Sequence, residues 1–167
     1  MRNIAMVIAF QLGWFACVLS GAKGQLLTAL LAASAVLVCN LWLARKDVMQ
    51  ELRLIVWVTL VGFVVETINL STGVFMLAVP STFPWLCPVW LVLLWTLFAT
   101  LLRGPLKWLS GRYWLSSLLG ALFAAPNYCA GARLGAVTLH GTTLYSVALL
   151  AVVWALAMPL MIWLARK

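Results

Sequence analysis

The chain has 167 residues, of which 66% are hydrophobic and 8% charged, against roughly 45–50% and about 25% in a soluble domain. These proportions exclude a soluble globular domain, a disordered chain and a disulfide-framed secreted module. The formal net charge of +8 does not point to nucleic acid, because the Lys and Arg residues sit in short clusters between apolar runs rather than on one basic face.

The first apolar run, 3–21, follows Met1-Arg2 and closes on Ser20-Gly21-Ala22. It shares features with a secretory signal peptide. Its length, and the apolar run that follows at once, read instead as an uncleaved first helix. The second run covers 26–44. In the connection from Arg45 to Arg53, Asp47 and Glu51 offset neighbouring basic residues. The third run covers 54–70 and the fourth 85–102. The fifth covers 113–134, and Pro126 is predicted to break it by removing a backbone donor. The sixth covers 143–164 and tolerates Pro159 near its end. A span takes about 20 apolar residues, so six spans leave only short loops and tails. The reading is an all-α membrane protein of six transmembrane helices in a single domain, with no visible internal repeat.

Alternate connections differ sharply in basic residues. Arg2, Arg45, Lys46, Arg53, Arg103, Lys107, Arg112, Arg166 and Lys167 fall on one side; Lys23 and Arg133 fall on the other. Basic residues favour the cytoplasmic side, which predicts an inner-membrane protein with both termini cytoplasmic. Trp42, Trp57, Trp108, Trp114 and Trp163 fall near the inner span ends and Trp85 near an outer one, where an aromatic belt belongs. Trp14, Trp95 and Trp154 fall mid-span and are expected to pack inside the bundle.

Glu66 lies 12 residues beyond Leu54, about 18 Å into its span. A carboxylate at that depth costs roughly 2.5–3.5 kcal/mol on insertion scales, so it should face the bundle and either find a partner or carry a proton. Asn69, three residues on, shares its face. The stretch Pro126 to Ala136, PNYCAGARLGA, brings Asn127, Tyr128 and Arg133 to the same outer side, and His140 follows. A polar cluster is expected in the outer half of the bundle. Glu66 and Arg133 would pair there, with Asn69, Asn127, Tyr128 and His140 around them. The alternatives are a purely structural ion pair beside a kinked helix, or a ligand site. Gln11, Asn40, Thr59 and Thr96 read as interhelical hydrogen-bonding groups.

No catalytic constellation is legible. A single His and one intramembrane carboxylate cannot build a metal cluster or a paired-His haem site. No phosphate-cradling Gly loop is present, so no cofactor is expected. Cys17, Cys39, Cys87 and Cys129 form no CxxC pattern. A Cys87–Cys129 disulfide is conceivable in an oxidising compartment, and apolar packing is the default.

Four stretches carry a resemblance: QLGWFACVLSGAKG (Gln11 to Gly24), ETINLSTGVF (Glu66 to Phe75), PWLCPVWLVLLWTLFATLL (Pro84 to Leu102) and PNYCAGARLGA. Together they resemble an uncharacterised family of small bacterial multi-pass inner-membrane proteins, a domain of unknown function. Genes of that family often neighbour cyclopropane-fatty-acid-synthase-like enzymes, and the resemblance implies a link to lipid modification. The leading expectation is a non-enzymatic accessory protein. Its partners would be membrane lipids, with a membrane enzyme or a second copy of the chain as further partner classes. The alternatives are a small transporter with an outward-facing site at Glu66 and Arg133, and an intramembrane enzyme using Glu66 or His140 as acid or base.

Overall fold

A computed structural model describes residues 1–44, 48–81, 83–139 and 143–167. The described residues form six α-helices: α1 (Arg2–Lys23), α2 (Leu26–Ala44), α3 (Val48–Ser71), α4 (Val89–Leu102), α5 (Tyr113–Arg133) and α6 (Thr143–Leu164). Four of them, α1, α2, α3 and α6, are long and apolar enough to cross a membrane. Their outer faces leave large apolar side chains uncovered, among them Leu12, Leu31, Val38 and Leu156. Such a surface suits hydrocarbon rather than water.

α4 is the hub and packs against α1, α2, α3 and α6. Its run VWLVLLWTLFATLL has no polar stripe, as befits a helix covered on every side. One core lies between α3, α4 and α6, around Val58, Trp95, Leu102 and Met161. A second lies between α1, α2 and α4, around Cys17, Ala29 and Leu97. Two polar pairs tie the hub to its neighbours. Asn40 Nδ2 donates to Thr100 Oγ1 at 2.8 Å, and the hydroxyls of Thr59 and Thr96 lie 3.0 Å apart. Gln11 makes no such tie and is exposed. α5 and α6 form a closely packed hairpin.

Two expectations change. The fourth helix starts at Val89 rather than residue 85, because Pro88 occupies the N-cap with extended backbone and restricts the residue before it. The fifth run is not broken: α5 continues through Pro126. A proline opens the preceding turn of carbonyls, and side chains can re-satisfy them. Here Asn127 Nδ2 donates to Phe123 O at 2.7 Å.

A small antiparallel ribbon, β1 (Phe75–Leu77) with β2 (Val137–Leu139), adds to the expected all-helical architecture. Met76 lies opposite Thr138. The ribbon grows from one local motif used twice. At the end of α3, Gly73 N–H donates to Leu70 O and Val74 N–H to Asn69 O; at the end of α5, Gly135 N–H donates to Ala132 O and Ala136 N–H to Gly131 O. Gly73 and Gly135 have φ of 70° and 79°, the left-handed turn that ends a helix in a Schellman motif. Each motif turns the chain directly into a strand, and the two strands pair across the bundle.

Trp42, Trp57, Trp85, Trp108, Trp114 and Trp163 are exposed, whereas Trp14 and Trp95 are buried. Asp47, together with Arg45 and Lys46, lies outside the described residues, and Glu51 is nearly buried in the first turn of α3.

Candidate functional site: a buried carboxyl beside a lateral cleft

Glu66 is fully buried on α3. Both carboxyl oxygens accept hydrogen bonds from neutral donors. The Tyr128 hydroxyl and the Trp95 indole donate to Oε1, the latter at 3.1 Å; Asn69 Nδ2 donates to Oε2 at 3.3 Å. The donors come from three helices, so the carboxyl ties α3 to α4 and α5. Gly62, one turn before Glu66, leaves room for Trp95: a Cβ on Gly62 would sit 2.1 Å from the Trp95 ring. Trp95 in turn stacks on Trp154 of α6, with ring centroids 4.7 Å apart and planes inclined by 21°. The buried Trp154 indole N–H lies near the Tyr128 hydroxyl and makes no hydrogen bond of good geometry with the described residues.

The structure therefore brings Glu66, Asn69 and Tyr128 into one hydrogen-bonded group. Asn127 faces the same cavity but spends its amide on Phe123 O. Arg133 is exposed at the end of α5 and makes no ion pair with Glu66. The physical reason is that neutral donors already fill the space around the carboxyl, and Arg133 lies more than a turn beyond Tyr128. His140 lies outside the described residues. All four cysteines are free, so Cys87 and Cys129 are not bridged. Among the described residues no group of His, Cys, Asp and Glu could hold a metal ion.

Trp95 was legible as a packing residue but not as a partner of Glu66. A buried indole N–H needs an acceptor, and Glu66 supplies an acidic acceptor at a matching depth. That pairing of needs was the available signal.

The Glu66 group forms part of the wall of a cleft of about 660 Å³, within the usual size of a small-molecule site. Its lining comes from α1 (Val7, Gln11, Trp14), α4 (Leu94, Phe98) and α5 (Phe123, Asn127), with Trp154 and Met158 of α6 behind them. The cleft runs lengthwise, from Val18, Gly131 and Val137 near the ribbon to Leu106 and Trp108 near the opposite end. Exposed Val7, Phe123 and Trp108 on its rim show that it opens sideways, towards the surface where the apolar faces lie. It is lined almost entirely by apolar and aromatic side chains.

The chain belongs to the family described as Protein of unknown function (DUF2878), whose profile covers residues 3–160. No curated protein and no solved structure matches it.

Proposed function

We propose that this member of a family without an assigned activity is a lipid-binding accessory protein of the bacterial inner membrane, non-enzymatic, with both termini in the cytoplasm. One lipid lies lengthwise in the lateral cleft, and the Glu66 group fixes the helices that shape it. The observation that carries this reading is the cleft itself: long, aromatic-lined, open to the side and continuous with the apolar faces of the bundle. A binding site that opens into hydrocarbon admits a molecule already dissolved there, and rigid aromatic walls suit a chain without polar groups. The distribution of basic residues supports the orientation. The transport alternative, with its outward-facing site at Glu66 and Arg133, drew on a break in the fifth span and on Glu66 near the midplane; α5 continues through Pro126, which removes the first of these supports.

Native mass spectrometry of the protein released from lipid nanodiscs tests the proposal. Wild type should retain one lipid. A variant with Val7→Trp and Gln11→Trp, two exposed positions on the α1 rim of the cleft, should fill the space and emerge bare. Equal retention by both proteins, or none by either, would count against the cleft as the site.

A further inference from the structure

A second cavity, of about 560 Å³, lies at the end of the bundle that carries both chain termini. Its lining includes Arg2 at the start of α1, Arg103 and Lys107 after α4, and Arg166 and Lys167 after α6. Three remote parts of the sequence thus deliver five cationic side chains to one concavity, where Glu51 is the single acidic residue among the described lining.

Two of the guanidinium groups are oriented by the fold. Arg103 donates from Nε to Ala165 O at 3.0 Å and from Nη1 to Gln50 Oε1 at 2.7 Å. Arg166 donates from Nη1 to the Tyr113 hydroxyl at 2.8 Å. The Lys167 ammonium rests 3.8 Å from the centre of the Trp163 ring. Loose loop charges that only set topology need no such anchoring. Cations converging at the end of a helical bundle form the electrostatic complement of a phosphate.

The cavity also touches the lateral cleft. Leu106 lines both, and Met6 of the cavity is followed in sequence by Val7 of the cleft. We propose that the basic cavity binds the phosphate of an anionic phospholipid whose acyl chain runs into the cleft. The phosphate assignment rests on the cavity alone; the placement of the chain rests on the reading of the cleft given above. A free phosphate could satisfy the same cations, so the two sources must be separated.

The test uses the full chain in neutral detergent, with wild type and a variant carrying Arg2→Gln and Lys107→Gln. Both side chains are exposed and make no hydrogen bond or ion pair with the described residues, so the variant should fold normally. Binding of phosphatidylglycerol, of phosphatidylcholine with the same chains, and of inorganic phosphate is measured by thermal shift and native mass spectrometry at low and high salt. Wild type should prefer phosphatidylglycerol at least ten-fold, and the preference should shrink with salt and disappear in the variant, with binding of phosphatidylcholine, whose phosphate is offset by its choline, changing much less.

Equal binding of the two lipids by wild type, or an undiminished preference in the variant, would overturn the assignment while leaving the cleft reading intact. Stabilisation by inorganic phosphate that the variant loses, with no lipid bound, would support the phosphate cavity and remove the chain from the cleft. No response to either phosphate source would overturn the cavity proposal.

Discussion

At Glu66 a single side chain satisfies three buried donors from three helices. Replacing it by Ala would strand Tyr128, Trp95 and Asn69, and each buried donor left without an acceptor costs about 1–3 kcal/mol. Glu66→Ala should therefore lower the melting temperature sharply, corresponding to a loss of about 3 kcal/mol or more. Glu66→Gln keeps an oxygen for Tyr128 and Trp95, and Asn69 can turn its own oxygen towards the new amide, so the loss should be much smaller. Equal losses in the two variants would show that the hydrogen bonds do not matter. The two stacked indoles offer an internal control. Trp95→Phe removes a donor that Glu66 uses, whereas Trp154→Phe removes one that makes no hydrogen bond of good geometry with the described residues. Thermal unfolding should show the first substitution to be the costlier, and the opposite ranking would contradict the hydrogen-bond assignment.

At the level of elements, the paired helix ends decide how the ribbon forms. Gly73 and Gly135 each hold a left-handed conformation, which costs an L-residue with a Cβ roughly 1–2 kcal/mol. Neither would bring a new Cβ within 4 Å of another group at Gly73 or Gly135, so Gly73→Ala and Gly135→Ala probe backbone strain alone. Each should destabilise the protein by about 1 kcal/mol, and faster amide exchange in β1 and β2 would locate the loss. The apolar runs made most helix positions legible, with the second and sixth bounded as observed. The ribbon was less so. STGVFML and ARLGAVTLH each place a glycine just before a short, mainly apolar run, but one such stretch reads as a plain helix end, and only their pairing makes strands. Pro126 misled for a related reason. Its local effect was read correctly, but a membrane helix can continue past a carbonyl that a proline leaves without its donor, and here the Asn127 side chain bonds the neighbouring Phe123 carbonyl. At the site, Glu66, Asn69 and Tyr128 were legible as polar groups in apolar runs. The choice of Trp95 over Arg133 as a partner required knowing which helix faces which.

At the scale of the whole molecule, the described basic residues Arg2, Arg103, Lys107, Arg166 and Lys167 gather around one cavity. Gly104 lies near Asn3 and Met6, and Arg103 reaches Ala165, so the two chain termini share one end of the bundle. Reporter fusions at the two ends should therefore read the same side of the membrane, and under the orientation proposed above that side is the cytoplasm. Opposite sides would contradict an even number of crossings.

The hub helix α4 has only 14 residues, a length of about 21 Å at 1.5 Å per residue, against a hydrocarbon core of about 30 Å. Its neighbours are longer, so the middle of the protein is thinner than its rim. Pro88 holds one end of this short element and the turn after Arg103 begins at the other, so α4 cannot lengthen by simple winding. The bilayer meets the longer outer helices rather than the covered α4, so mismatch is taken up by tilting those helices or by deforming the bilayer around them, at a cost of fractions of a kcal/mol per ångström. Acyl-chain length and order set the bilayer thickness and so the size of that cost. The fit between the protein and its surroundings thus varies with acyl-chain composition, even where no individual lipid is recognised.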